Sequence, residues 1–251
     1  MARHENRQRA ESFGAWAAAY DQHRESYPEP LIDYLLDLAQ PETVLDVGCG
    51  TGKLGALFVQ AGLPVTGVEP DARMAEVARS HGLEVDVAKF EQWDPAGRTF
   101  DLVVAGTSWH WVDPIAGATA AASVLRPGGR LALVWHVPSR DEAVDAAINA
   151  VYRLHSPETE ALTPDTDLEA IIEPLLRAPW TNPDNATFEW SRDFSADAWV
   201  DYLSTQSTHR LMTDTTRQAV LDGNRQAVTD HGGNLTINYS TVVLTAQRDS
   251  G

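Results

Sequence analysis

The feature that most constrains this chain is a glycine-rich turn directly after a short apolar segment, Val44–Val47. Glycines stand at Gly48, Gly50 and Gly52. Because glycine has no Cβ, the backbone at these positions can take positive φ values and approach a ligand closely. A helical pattern over Gly52–Ala61 follows, so the amides of its first turn would point at that ligand. The sequence therefore predicts a binding site at a strand–turn–helix junction.

Short apolar segments alternate with helical patterns over residues 42–137, which is typical of βαβ units and a parallel sheet. The predicted strands of this part are Val44–Val47, Val65–Val68, Leu83–Val87, Asp101–Ala105 and Arg130–His136. The predicted helices between them are Gly52–Ala61, Ala72–Ser80 and Ile115–Leu125. The pattern indicates an α/β fold with helices on both faces of the sheet.

The flanking segments are predicted mostly from helical periodicity. Helices are expected before the core at Ala10–Tyr20 and Leu31–Ala39. After the core we expect helices at Asp141–His155, Leu168–Leu176, Ala196–Ser204 and Thr215–Asp230, and strands at Thr187–Phe194 and Leu235–Arg248. Arg177–Asn185 is predicted to be a connection, within an irregular insertion near 141–185. We expect one domain over 1–251: an N-terminal helical lid at 1–40, a core at 41–137, and an acceptor-side part at 138–251.

Composition limits the partners. The formal charge is −17, from 36 acidic and 19 basic side chains, so binding to a phosphate backbone is disfavoured. The single cysteine, Cys49, excludes an intrachain disulfide and fits a reducing cytoplasm. No stretch approaches the roughly 20 apolar residues of a membrane span, and no His, Cys and Asp cluster has metal-ligand spacing. We expect a cytoplasmic monomer or homodimer without a metal, nucleic acid or membrane partner.

The spacing of the glycines narrows the choice of cofactor. A phosphate-binding Rossmann turn has the pattern G-x-G-x-x-G, whereas this turn has G-x-G-x-G. Asp46, at the carboxyl end of the first strand, would repel a pyrophosphate but suits a ligand with an ammonium and a sulfonium group. Glu69 ends the second strand, where a carboxylate can accept hydrogen bonds from both ribose hydroxyls of a nucleoside. The pattern disfavours NAD and a phosphate loop of the Walker type.

At these positions the chain resembles class I S-adenosylmethionine-dependent methyltransferases. Val44–Gly52 resembles their first motif, Val68-Glu69-Pro70-Asp71 followed by Met74 resembles their second, and 125–131 resembles their turn into strand five. The resemblance implies a Rossmann-like seven-stranded, mostly parallel sheet with an antiparallel terminal strand. More narrowly, Tyr20-Asp21, Tyr27-Pro28 and Trp109-His110-Trp111 resemble a bacterial type 11-like group that acts on small molecules.

The resemblance also implies which residues hold S-adenosyl-L-methionine. Gly48 and Gly50 would pass close to its methionyl part, and Glu69 would hold the ribose. Lys89 and Phe90 would flank the adenine, where many relatives carry an aspartate instead. The full predicted set for the cofactor is Asp46, Gly48, Gly50, Thr51, Glu69, Pro70, Lys89, Phe90, Gly106 and Tyr20.

Two histidines at the carboxyl ends of strands are candidate bases for the acceptor. His110 follows the fourth strand and is the predicted catalytic residue, with a loop-pinning histidine as the alternative. His136 ends the fifth strand and is either a second base, a substrate contact or a capped structural histidine. The predicted acceptor contacts are Tyr27, Trp109, Trp111 and His136, with one of the two tryptophans expected in the core.

The N-terminal aromatic residues allow two interpretations. Phe13, Trp16 and Tyr20 recur at three- and four-residue steps, which fits a helix packed on the core, with Trp16 the member we expect there. An aromatic lid over the cofactor would use Tyr20 and Tyr27 instead.

These observations predict an S-adenosylmethionine-dependent methyltransferase that moves a methyl group to an O, N or C atom of a small-molecule metabolite. The alternative is a non-catalytic nucleoside-cofactor-binding protein on the same fold, because the motifs report binding and not turnover.

Overall fold

The computed structural model describes residues 16–159, 168–177 and 179–250. Two helices open this part: α1 at Ala17–His23 and α2 at Glu29–Ala39. The start of the predicted helix Ala10–Tyr20, including Phe13, lies outside the described residues, and its described part continues to His23.

The central part alternates strands and helices as predicted. It contains β1 at Val44–Val47, α3 at Gly55–Gln60, β2 at Val65–Val68, α4 at Ala72–Ser80, β3 at Glu84–Asp86, β4 at Phe100–Gly106, α5 at Pro114–Val124 and β5 at Leu125–Ser139. Single 3-10 turns at Phe90–Gln92 and Trp109–Trp111 follow β3 and β4. The bounds of β1, β2 and α4 agree with the predicted ones.

The C-terminal part is more regular than predicted. It contains α6 at Glu142–His155, α7 at Leu168–Leu175, β6 at Trp180–Ser195, α8 at Ala196–Ser204, α9 at Ser207–Arg210, α10 at Asp214–Asp230 and β7 at Asn234–Arg248. The short helix α9 was not predicted.

The prediction that Arg177–Asn185 is only a connection is wrong, because β6 already begins at Trp180. Its pairing with β7 slips between Thr181 and Asp184, where Pro183 has no N–H to donate. The proline and asparagines therefore mark an irregularity inside a strand rather than its boundary. Within 141–185 the described residues include α6, α7 and the first part of β6, so the described part of this segment is largely regular; residues 160–167 and 178 lie outside the described ones.

The seven strands form one sheet in the order β3-β2-β1-β4-β5-β7-β6. β1 to β5 run parallel to one another, and β7 is antiparallel to both β5 and β6. The Rossmann-like, mostly parallel sheet is therefore confirmed. Because parallel strands end at one edge, the residues that follow β1, β2 and β4 meet there.

The sheet is covered on both faces. Leu45, Val103 and Leu131 belong to one buried cluster, and Val44 and Leu102 belong to another, as expected for alternating residues of parallel strands. A third cluster joins α6, α8 and α10 to one face of β7. This third cluster brings aromatic residues of α8 and β7 next to the carboxyl edge of the sheet.

Candidate functional site

The glycine turn after β1 has the backbone conformation that the sequence predicted. The φ angles of Gly48, Gly50 and Gly52 are +61°, +57° and +86°, values that disfavour side chains with a Cβ. A Cβ on Gly48 would lie 2.8 Å from the Cβ of Ser108. Ser108 also donates a hydrogen bond of 2.6 Å from its hydroxyl to the carbonyl of Val47. The ends of β1 and β4 are therefore held together beside the turn.

Asp46 is buried at the end of β1, with 1% of its surface exposed. Its Oδ2 accepts a hydrogen bond of 2.9 Å from the amide of Gly55, at the start of α3. Burial raises the pKa of its carboxyl to about 7, since the interior disfavours the charged form. A positively charged ligand in the neighbouring cavity would favour ionisation of Asp46.

Glu69 connects the glycine turn to the second crossover. Its Oε2 accepts the amide hydrogen of Gly50 at 3.0 Å, and its Oε1 accepts that of Asp71 at 2.9 Å. Burial raises the pKa of this carboxyl to about 7. Each carboxylate oxygen can accept more than one hydrogen bond, so Glu69 can hold the turn and still accept hydroxyl hydrogens of a ligand.

A cavity of about 940 Å³ lies at this edge of the sheet. Nearly all of the residues that the sequence predicted line it: Tyr20, Tyr27, Asp46, Gly48, Gly50, Thr51, Glu69, Pro70, Lys89, Phe90, Gly106, His110, Trp111 and His136. Within the described part of the chain, the remaining predicted residue, Trp109, is absent from the lining. The cavity thus brings the predicted cofactor residues and acceptor residues into one space.

The predicted acceptor contact of Trp109 is corrected by the structure. Its side chain is 1% exposed and belongs to the core under α5. Its ring packs 6.0 Å from that of Phe90, and a Cβ on Gly117 would lie 3.1 Å from it. The close approach of α5 at this glycine seals Trp109 away from the cavity. Of the two tryptophans in this turn, Trp111 is the one that lines the cavity.

The N-terminal segment covers the cavity through its tyrosines. Tyr27 contacts the tip of β4, with its hydroxyl 3.3 Å from Thr107 Oγ1, and its ring stacks on His136 at 4.6 Å. A Cβ on Gly106 would lie 2.8 Å from Cζ of Tyr27, so only glycine leaves room for this ring. Trp16, which we expected in the core, is 52% exposed.

The loop after β3 contributes Lys89 and Phe90 to the cavity. The preceding acidic residue, Asp86, pairs with Arg98 and accepts a hydrogen bond of 2.8 Å from Trp93 Nε1. Asp86 does not line the cavity. An aspartate for the adenine amino group is therefore not supplied by β3.

A group of polar and aromatic residues in the lining was missed at the level of sequence: Arg24, Glu25, Tyr202 and Tyr239. The guanidinium of Arg24 lies 5.1 Å from the ring of Tyr20 and 5.2 Å from that of Tyr202. Arg24 is the residue directly after α1, so its nearness to Tyr20 in the sequence could have pointed to it. Tyr202 on α8 and Tyr239 on β7 carry no local motif and come to the site only through tertiary packing.

Two negative findings concern the described residues. No group of three or more His, Cys, Asp or Glu side chains there is arranged to hold a metal ion. No helix in the same ranges is both long and apolar enough to cross a membrane.

Comparison with known proteins identifies the family. The sequence model of the Methyltransferase domain matches residues 20–213. An uncharacterized methyltransferase of Mycobacterium tuberculosis is 35% identical over 202 residues, which cover 78% of this chain and 76% of that protein. The malonyl-[acyl-carrier protein] O-methyltransferase of Hahella chejuensis is 37% identical over 134 residues, 49% of this chain and 47% of that protein.

Solved structures support the same fold. A methyltransferase from Anaeromyxobacter dehalogenans has a TM-score of 0.65 at 23% identity, covering 88% of this chain and 97% of that one. A phosphoethanolamine N-methyltransferase of Haemonchus contortus, in complex with phosphomonomethylethanolamine and S-adenosylhomocysteine, has a TM-score of 0.53 at 14% identity. That match covers 96% of this chain and 59% of that one.

Proposed function

Because the chain belongs to the Methyltransferase domain family, whose members use S-adenosylmethionine, we propose that it methylates an O, N or C atom of a small molecule. The observation that supports a small-molecule acceptor is that the glycine turn and Glu69 line the same cavity as Tyr27, His110 and His136. Its volume of about 940 Å³ lies in the range of small-molecule sites and suits a nucleoside cofactor together with a small acceptor.

The residues at the turn fit the cofactor. Thr51 Oγ1 is buried without a hydrogen-bond partner and lines the cavity, so it is available to a polar ligand. Gly48 and Gly50 would lie along the methionyl part, Glu69 would accept the ribose hydroxyls, and Phe90 would lie beside the adenine. Asp46 would complement the positive charge through space or through water. When bound, the cofactor supplies the activated methyl group and its leaving group.

The protein's own contribution is to orient the acceptor and exclude water. In this proposal the segment 1–40 acts as the lid, with Tyr20 and Tyr27 over the cavity, and residues after 138 supply much of the acceptor side. His110 lies on the 3-10 turn after β4, at the cavity. We assign it the role of accepting a proton from acceptors that carry one on the attacking atom, since neutral imidazole is a proton acceptor near pH 7.

Calorimetric titration with S-adenosylhomocysteine, with NAD as the control ligand, tests the cofactor. We expect micromolar binding of the former and none of the latter, and the reverse result would refute the proposal. A panel of hydroxylated, carboxylated and aminated small molecules incubated with labelled S-adenosylmethionine then tests turnover, read by mass spectrometry. Binding of the cofactor with no transfer to any member of the panel would favour the non-catalytic alternative.

A further inference from the structure

A chain of three side chains leads from the outer strands of the sheet to the cavity. The indole Nε1 of Trp190 on β6 lies 2.7 Å from Oγ1 of Thr241 on β7. The same oxygen lies 2.8 Å from Nδ1 of His136 on β5. The strand register places His136 directly opposite Thr241, so the backbone itself sets this contact.

The chemistry of these groups fixes where the imidazole proton lies. An indole N–H can only donate, so Trp190 uses one lone pair of the Thr241 oxygen. Thr241 is fully buried, and among the described residues Trp190 and His136 are its side-chain hydrogen-bond partners. Its hydroxyl hydrogen is therefore satisfied only if it is donated to His136 Nδ1. The reverse arrangement would leave a buried hydroxyl hydrogen unpaired, which is costly.

With Nδ1 as the acceptor, the neutral ring carries its hydrogen on Nε2. That atom is buried without a hydrogen-bond partner, and His136 lines the cavity. Burial lowers the pKa of His136, while the charge of Glu25 opposes this shift and that of Arg24 adds to it, so the ring stays neutral at pH 7 and above. Tyr27 stacks on one side of the ring at 4.6 Å, and Tyr239 packs edge-on at 5.8 Å. The ring is thus fixed in place.

Two further buried polar atoms line the same cavity without partners: Arg24 Nε, which is a donor, and Glu25 Oε2, which is an acceptor. Both residues line the same cavity as His136, and Nη1 of Arg24 lies 3.9 Å from the other carboxylate oxygen of Glu25, Oε1. Unpaired buried polar atoms are rare in folded proteins, and we assign a polar ligand in the cavity as their partner.

We propose that the relay from Trp190 through Thr241 holds His136 as a hydrogen-bond donor, and that His136 and Arg24 bind a carbonyl or carboxylate oxygen of the methyl acceptor. Glu25 accepts a hydrogen from a neighbouring hydroxyl of the same molecule. His136 is accordingly a substrate-binding residue rather than a base, which leaves the proton-accepting role to His110. This inference rests on the proposed function, because it assigns the place where the acceptor binds.

The tautomer is measured directly by two-bond ¹H–¹⁵N correlation spectra of protein labelled on histidine, at pH 8. The signal of His136 is identified by its disappearance in His136→Gln. We expect one tautomer with the hydrogen on Nε2, and loss of that preference in Thr241→Val. Thr245→Val, a matched change at another buried threonine of β7, should leave it intact. A dominant Nδ1–H tautomer in the unsubstituted protein would overturn the proposal.

Binding of probes to protein saturated with S-adenosylhomocysteine tests the acceptor chemistry. Salicylate and salicylamide both present an acceptor oxygen beside a hydroxyl, whereas benzylamine presents only donors. We expect salicylate or salicylamide to bind. Binding of salicylate indicates that the site accepts a charged oxygen, and binding of salicylamide indicates that it accepts a neutral one. His136→Leu should weaken that binding at least tenfold, while His136→Gln, which keeps an N–H donor, should retain most of it. Tighter binding of benzylamine, or no effect of His136→Leu, would refute the assignment. Calorimetry with S-adenosylhomocysteine alone reports separately on the proposed function.

Discussion

Replacing Glu69 with glutamine tests the part of the site that carries the cofactor assignment. The carboxylate accepts the amides of Gly50 at 3.0 Å and Asp71 at 2.9 Å. Glutamine has one acceptor oxygen, so one of these amides would face an NH2 group instead. The substitution therefore both loosens the glycine turn and removes a charged acceptor for the ribose hydroxyls.

The magnitude follows from the kind of hydrogen bond that is lost. Hydrogen bonds to charged groups contribute about 1.5–3 kcal/mol, which corresponds to affinity for S-adenosylhomocysteine weaker by roughly 10- to 150-fold. The comparison belongs at pH 8, because burial raises the pKa of the Glu69 carboxyl to about 7 and it is ionised there. In the unsubstituted protein, affinity should fall between pH 8 and pH 6 as this carboxyl and that of Asp46 take up protons. Glu69→Gln should make that dependence shallower.

Isothermal titration calorimetry with S-adenosylhomocysteine at pH 6 and pH 8 measures both effects. Glu84→Gln is the matched control, since Glu84 is exposed on the neighbouring strand β3 and paired in register with Thr66 of β2. Thermal unfolding monitors the integrity of each variant. If Glu69→Gln binds within twofold of the unsubstituted protein while remaining folded, the role of Glu69 in the cofactor site is refuted.

Three further outcomes follow from the geometry. Gly106→Ala should lower turnover by displacing Tyr27, whose Cζ would lie 2.8 Å from the new Cβ. Steady-state kinetics should show that Gly106→Ala lowers kcat less when Tyr27→Ala is already present. Losses of kcat that are independent of each other would contradict the contact. Burial raises the pKa of Asp46 to about 7, above its unfolded value of 3.8. Between these two pH values, and without cofactor, Asp46 is protonated in the folded protein and ionised in the unfolded chain. The free energy of unfolding therefore falls as the pH rises from 3.8 to 7. Asp46→Asn should remove the part of that loss of stability that falls between pH 5 and pH 8, about 3 kcal/mol for the two pH units below the folded pKa, which urea unfolding at these two pH values measures; an unchanged pH dependence would exclude Asp46 as its source. His110→Ala should leave the affinity for S-adenosylhomocysteine within a fewfold range while lowering kcat by about 10²–10⁴-fold for acceptors that must lose a proton, and normal turnover with such an acceptor would remove His110 as the base.

Local sequence patterns predicted the core of the fold well. The bounds of β1, β2 and α4 follow from short apolar runs and from helical periodicity between turn residues. The same reasoning failed at Trp180, where β6 begins within a Pro- and Asn-rich segment. Pairing with β7 on both sides of the slip near Pro183 stabilises a strand that local propensity disfavours.

In the site, too, some features followed from the sequence and others depended on tertiary packing. The two tryptophans beside His110 are identical in type and adjacent to the same motif, yet only Trp111 lines the cavity. The close packing of α5 at Gly117 buries Trp109, and this packing depends on a helix that begins later in the chain. No local pattern distinguishes the two rings.

The sequence by itself determined the cofactor end of this protein, because the glycine turn, Asp46 and Glu69 act through backbone conformation and charge at strand ends that lie close together in the chain. The surroundings of the proposed acceptor site were decided by the tertiary structure. The place of His136 at the end of β5 followed from the sequence, but Arg24 comes from the segment after α1 and Tyr239 from β7, and their contacts depend on how elements distant in sequence are packed. The tautomer of His136 shows this dependence on tertiary structure most clearly. It is set by Thr241 on β7 and Trp190 on β6, which reach His136 only because β5 pairs with β7 and β7 pairs with β6.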